Sequence, residues 1–145
     1  PQLKMTLLDS LNKRLIFLGE LLQKLNLQAE LVHSRGEDAA QKPQHREHFD
    51  WALARAVAPL PQLLEFTLPF VRVQGNFLAM KGPTVQAELT DAKNALQLLG
   101  GRKEKVINFS LPYSEDERSL LLIKKSKKTP KKYPRNSGQI KKNPL

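Results

Sequence analysis

Apolar and polar positions change their period several times along this chain, and each change marks an element. Residues 4–9 carry the apolar run Met5-Thr6-Leu7-Leu8, closed by Asp9, and read as a buried strand. Over residues 10–25 the period becomes helical: Leu11, Leu15, Leu18, Leu22 and Leu25 recur at steps of three and four and form one apolar stripe. Residues 30–34 make a second short strand, followed by the loop Arg35-Gly36-Glu37-Asp38. After the polar stretch 45–50, residues 51–57 are apolar enough for a third strand. Pro59 and Pro61 break the chain ahead of a short helix over 62–68, which Pro69 closes. Residues 71–75 turn into a fourth strand over 76–81, ended by Gly82-Pro83. A helix is predicted over 84–99, with Leu89, Ala92, Leu96 and Leu99 on one side and Gly100-Gly101 as its stop. Two last strands, 105–111 and 119–124, flank the acidic turn Ser114-Glu115-Asp116-Glu117.

The order β-α-β-(α)-β-α-β-α-β-β predicts an α/β fold. Parallel strands need crossover connections, so the sheet should be mainly parallel with helices on both faces. The last two strands have no helix between them, which predicts one antiparallel strand at an edge.

Charge divides the chain in two. Nine of the 24 lysines and arginines fall in residues 124–145 with no acid among them, leaving 15 basic against 14 acidic residues in the rest. Residues 1–125 are therefore read as a nearly neutral folded body, and 126–145 as a basic, extended and weakly ordered tail. Such a tail suits a polyanion, because neutralised phosphates release condensed counterions; a solvated tail that only aids solubility is the plainer alternative. The absence of cysteine excludes disulfides, thiolate metal sites and cysteine nucleophiles, and fits a reducing cytosol. No apolar stretch approaches the ~18 residues that span a bilayer. The chain begins at Pro1 rather than methionine, so it is expected to be a piece of something longer.

In open α/β sheets ligands bind beyond the carboxyl ends of the strands, and each strand here delivers a polar group to that rim. Asp9 ends the first and can accept hydrogen bonds from the two hydroxyls of a ribose; with Ser10 it can equally start the following helix. The second strand runs into Gly36 and Glu37, where an acid can take an amine or hydroxyl, or merely begin a helical turn. The third ends near Arg55, free to pair with a carboxylate or phosphate, or else buried against Asp50 or Glu65. Lys81 closes the fourth. His33, His45 and His48 lack the spacing of a helical zinc site, and neither a nucleophile elbow nor a phosphate-cradling glycine loop occurs.

Four segments together resemble one family. Leu7-Leu8-Asp9-Ser10-Leu11-Asn12-Lys13-Arg14 is similar to the second strand-helix unit of the RsmG/GidB family, bacterial 16S rRNA (guanine-N7) methyltransferases. Phe49-Asp50-Trp51-Ala52-Leu53-Ala54-Arg55-Ala56-Val57-Ala58 resembles its next signature. Gly75-Asn76-Phe77-Leu78-Ala79-Met80-Lys81-Gly82 and Thr129-Pro130-Lys131-Lys132-Tyr133-Pro134-Arg135-Asn136-Ser137-Gly138 fit as well, so the likeness runs over essentially the whole chain. It departs at Ile140, where a proline is expected.

The resemblance implies a Rossmann-like class I S-adenosylmethionine-dependent methyltransferase sheet with S-adenosyl-L-methionine as cofactor. Asp9, Ser10 and Leu11 would hold the cofactor ribose, Gly36 and Glu37 its adenine side, and Arg55 would stand at the cofactor edge. Lys81 would face RNA, together with Lys127, Lys128, Lys131, Lys132 and Arg135 of the tail. Methyl transfer to a nitrogen with a free lone pair needs positioning more than acid–base help, so no general base is nominated. The partner implied is 16S rRNA or the small ribosomal subunit, met in the cytoplasm by a monomer, with no membrane involved. The family's first strand and glycine-rich loop should precede Pro1. The chain thus reads as a carboxyl-terminal portion of reduced or no activity, its first strand missing and its sheet left with a gap. A non-catalytic RNA-binding module is the competing reading; a nicotinamide dehydrogenase fits an acid after the second strand but not the basic tail.

Overall fold

The computed structural model describes residues 3–55 and 57–145; Pro1, Gln2 and, within the third-strand signature, Ala56 lie outside the described residues. The elements run β1 (Thr6–Asp9), α1 (Asn12–Lys24), β2 (Glu30–His33), α2 (Gly36–Ala39), β3 (Phe49–Arg55), α3 (Leu60–Thr67), β4 (Val71–Lys81), α4 (Val85–Asp91), α5 (Lys93–Leu99), β5 (Gly101–Ser110), β6 (Glu117–Lys125) and α6 (Ser137–Lys142). The molecule is α/β, in the predicted alternation.

Its strands form two sheets. β1 and β2 pair in parallel, Asp9 opposite His33. The other four are ordered β3-β4-β6-β5, and no described backbone pairing joins them to β1 and β2. β3 and β4 are parallel, with Arg55 opposite Met80. The expected antiparallel edge strand is corrected here: β6 is antiparallel but lies inside the sheet, between β4 and β5. The reason lies in composition. β6 carries Leu120-Leu121-Leu122-Ile123 and takes the buried place, while β5, opening with Gly101-Arg102-Lys103-Glu104-Lys105, leaves its charges on the edge where they discourage further pairing.

One face of this sheet carries the core. Phe77 and Ala79 of β4 and Leu121 and Ile123 of β6 are fully buried against Leu60, Leu63 and Leu64 of α3 and Leu89, Ala95 and Leu99 of α4 and α5. On alternate positions of the sheet's outer strands, Trp51, Leu53, Ile107 and Phe109 remain exposed. α1 lies over β1 and β2 so closely that a Cβ on Gly19 would touch Leu31. The helix predicted over 84–99 is interrupted at Ala92, where Thr90 Oγ1 donates to the Gln86 carbonyl; such back-bonding bends a helix. Gly100 ends α5 in the left-handed conformation, φ 79°, and its carbonyl accepts from Ser126 and Lys127.

Residues 126–145 are not an extended tail. The chain leaves β6, runs as a strap over the body and ends in α6, capped by Asn136 through Gln139 N–H. Arg46 donates to the carbonyls of Thr129, Pro130 and Tyr133, and Gln41 to that of Pro134. Tyr133 and Ile140 are buried. Polar composition concealed this, because the partners lie far off in sequence and include two acids, Glu47 and Glu65.

Candidate functional site

β1 delivers Asp9 to its carboxyl end as the spacing required. The carboxylate is engaged on both sides: Oδ1 accepts from Leu11 N–H at 2.8 Å, and Oδ2 lies 3.3 Å from Arg14 Nη1. Both readings of this residue therefore have a foothold. Asp9 ties down the turn into α1, although the N-cap position itself falls at Leu11 and has no side-chain cap. Among the described residues its Oδ2 meets an exposed arginine alone, a partner that a ligand hydroxyl can displace at small cost. Ser10 is fixed from the neighbouring strand, since His33 Nε2 stands 3.1 Å from the Ser10 carbonyl oxygen. In the sequence His33 is notable only as a histidine without metal-site spacing; its pairing opposite Asp9 is what gives it this place.

Three residues beyond β2, Gly36 opens α2, and Glu37 is buried at 8% exposure with Arg35 Nη1 3.8 Å from Oε1. Ala39 and Ala40 are fully buried, and a Cβ added to Gly36 would come into van der Waals contact with Phe66 of α3. Asp9, Ser10, Leu11, Gly36 and Glu37 thus cluster around the ends of β1 and β2.

Arg55 and Lys81 end β3 and β4 in the other sheet, a strand apart. Arg55 is exposed and makes no hydrogen bond or ion pair among the described residues. The alternative of a buried pairing fails, because Asp50 is bound by Arg72 at 2.6 Å and Glu65 by Arg135. Lys81 is corrected in the opposite sense. Instead of facing outward, its ammonium lies 2.6 Å from Glu88 Oε2 and 3.2 Å from the Ala58 carbonyl, at 11% exposure. Glu88 Oε2 also accepts from Leu60 N–H at 2.8 Å. One ion pair therefore pins both sides of Pro59 in the segment after β3. An open cleft of about 510 Å³ is lined there by Val57, Ala58, Pro59, Lys81, Thr84 and Glu88. No sequence signal marked Glu88, since its partners come together only when β3, β4 and α4 meet. Among the described residues no hydrogen bond or ion pair links this half of the rim to the Asp9 half.

The basic strap lies elsewhere. β6 runs antiparallel to β4, with Ser119 opposite Lys81 and Lys124 opposite Asn76. The strap therefore leaves the sheet at the end opposite Arg55 and Lys81. Lys125 is fully buried, donating to the Leu68 carbonyl and Thr129 Oγ1 at 2.6 Å, with Glu47 Oε1 3.4 Å away. Burial lowers its pKa to about 8, with Glu47 opposing the shift and Arg46 adding to it. Arg135 is likewise committed: Nε and Nη2 bind the two oxygens of fully buried Glu65, which holds the guanidinium above its ordinary pKa. Arg135 is thus an anchor of the strap rather than an exposed cation, whereas Lys127, Lys128, Lys131 and Lys132 are all exposed.

Comparison with known proteins places this geometry. The family model described as GidB, rRNA small subunit methyltransferase G, matches residues 1–121. A protein called ribosomal RNA small subunit methyltransferase G from Acetivibrio thermocellus is 49% identical over 146 aligned positions, covering 100% of this chain and 60% of that protein. Its namesake from Lactobacillus acidophilus is 49% identical with coverages of 100% and 61%. The chain thus spans about three-fifths of the length of these relatives. Among solved structures, an rRNA methylase from Streptococcus thermophilus superposes with a TM-score of 0.57 at 17% identity, over 86% of this chain and 74% of that one. A methyltransferase from Pyrococcus furiosus gives 0.62 at 19% identity, over 86% and 64%. The fold is that of the Rossmann-like methyltransferases.

Proposed function

Because the chain belongs to the rRNA small subunit methyltransferase G family, we propose that it supplies the nucleoside side of an S-adenosyl-L-methionine site and the acceptor rim of an enzyme that methylates N7 of a guanine in 16S rRNA. The observation that carries this reading is Asp9 at the carboxyl end of β1, beside the parallel β2 that leads into Gly36 and Glu37. Carboxylates at two adjacent strand ends suit a ribose diol and an adenine amine, and Oδ2 of Asp9 is held only by an exposed side chain. The cofactor supplies the methyl group. Asp9 would accept from the ribose hydroxyls, Ser10 and Leu11 would line that edge, and Gly36 and Glu37 would meet the adenine. Arg55, exposed at the end of β3, would stand near the acceptor. Lys81 would support the rim indirectly, through Glu88 and Ala58. The substrate proposed is 16S rRNA in the small ribosomal subunit, a cytoplasmic partner. All these residues lie on one chain, so a monomer is the proposed working unit.

Calorimetric titration of this chain with S-adenosyl-L-methionine, with circular dichroism on the same sample, tests the proposal. Binding is expected. Asp9→Ala should weaken it by about 1–3 kcal/mol, the cost of leaving a polar group without its partner. Asp9→Asn keeps an acceptor for Leu11 N–H and should still lose affinity. Unchanged affinity in both variants would reduce Asp9 to a turn-former. A folded chain that takes up no cofactor would favour the second reading, an RNA-binding module without catalysis, for which the docked basic strap is the supporting observation.

A further inference from the structure

We propose that Glu88 is the group that reads the acceptor base, and that the cleft between Pro59 and α4 is a guanine slot. This rests on the methyltransferase reading above for its ligand class, and on the cleft for its chemistry. Both partners of the Glu88 carboxylate, Leu60 N–H and Lys81 Nζ, fall on one oxygen, Oε2. The other oxygen, Oε1, has no partner among the described residues, while Glu88 lines the cleft at 21% exposure. The side chain is thus fixed through Oε2, and Oε1 is left to accept. A carboxylate accepts hydrogen bonds and donates none.

That requirement selects among bases. Guanine presents N1–H and the N2 amine side by side on its Watson–Crick edge, two donors within reach of one carboxylate oxygen. Adenine offers only its N6 amine on that edge and sets the N1 lone pair against the carboxylate, so it satisfies Glu88 less well than guanine does. Enzymes that act on a base taken out of its stack read it by that edge. A site built around a buried hydrogen-bonding group rejects the analogue that cannot satisfy it. Val57 and Pro59, both exposed, supply apolar surface against which the purine plane can lie. Held by its Watson–Crick edge, the purine keeps its imidazole edge, with N7, uncovered. Lys81 acts here as a positioning residue: its bonds to Glu88 and to the Ala58 carbonyl fix the carboxylate against the slot.

The test is a nuclear magnetic resonance titration of the 15N-labelled chain with guanosine, inosine and adenosine monophosphates. All three carry the same phosphate, so shifts common to them report contact with surface lysines. Guanosine monophosphate should move the Leu60 and Glu88 amides specifically. Adenosine monophosphate should bind there at least tenfold more weakly, with inosine monophosphate, which lacks the N2 amine, in between. Glu88→Gln should erase or invert this order. Equal response to guanine and adenine, an unchanged preference in Glu88→Gln, or no response at Leu60 to guanosine monophosphate overturns the assignment. The wild-type comparison needs no variant to fold. Cofactor uptake is read separately, so loss of S-adenosyl-L-methionine binding with the guanine preference intact would sink the earlier reading and spare this one.

Discussion

Lys125 is a cation with no exposed surface, held by a backbone carbonyl, a threonine hydroxyl and Glu47. Desolvation outweighs the pull of Glu47, and its pKa falls from 10.5 to about 8 in the folded protein. The unfolded chain then holds more protons than the folded one between those two values, so stability rises with pH across that window. Below about pH 8 both states carry the charge and the folded state bears the full penalty. Above pH 10.5 neither carries it and the penalty is gone. A displacement of that size corresponds to something on the order of 3 kcal/mol. Denaturant melts at a series of pH values should therefore show the midpoint climbing from pH 8 toward 10.5. Lys125→Met should flatten the climb while lowering stability near neutrality, because Leu68, Thr129 and Glu47 are left without their shared donor. A climb of the same size in Lys125→Met would place its origin in other lysines.

The strap and α6 form the element whose order composition hides, and one ion pair explains that order. Glu65 has no exposed surface, whereas the Arg135 guanidinium is 22% exposed. Removing the two partners should therefore cost different amounts. Arg135→Met leaves a buried carboxylate whose one remaining partner among the described residues is the backbone N–H of residue 135, and should destabilise by about 3–5 kcal/mol. Glu65→Gln leaves an arginine able to swing into water and should cost about 1–3 kcal/mol. Equal destabilisation in denaturant titrations would mean that the strap is held by Arg46 and Tyr133 instead. Elements whose signal is local were legible: the leucines of α1 at helical steps, the glycine stop of α5, the proline-flanked α3. β6 was legible as a strand but not in its place, since sheet order follows from comparing two strands for burial rather than from either alone. The strap was not legible, because Lys, Pro and Ser composition describes an unfolded chain unless partners far away in sequence meet it. Of the site, the positions of Asp9, Glu37 and Arg55 followed from strand ends. The inward turn of Lys81 did not, because the acid that captures it lies on the next helix.

The strand ends that carry Arg55 and Lys81 and the start of the basic strap lie at opposite ends of the four-stranded sheet. From Ser119, opposite Lys81, to Lys125 at the start of the strap, β6 covers roughly 20 Å at the rise of a strand. The lysines at the start of the strap therefore lie away from Arg55 and Lys81 and can hold a polyanion only at a distance from them. Lys127, Lys128, Lys131 and Lys132 project from a strap fixed by Arg46, Glu47 and Glu65, so their charges are displayed without the ordering cost of a loose tail. Lys132 lies 5.2 Å from the Tyr133 ring centroid, which further holds it. If these lysines bind phosphates, exchanging all four for glutamine should lower RNA affinity and reduce the slope of log affinity against log salt by roughly 0.7–0.9 for each phosphate no longer neutralised. Four such phosphates would remove about 3 from the slope. Cofactor affinity should not change, because none of these four lysines makes a hydrogen bond or ion pair with Asp9, Gly36 or Glu37 among the described residues. Arg55→Ala offers the converse: one charge fewer at the rim should lower the slope by no more than about 1. Filter binding of a 16S rRNA fragment between low and moderate salt measures both. An unchanged slope in the fourfold variant would confine RNA binding to the rim and leave the strap a purely structural brace.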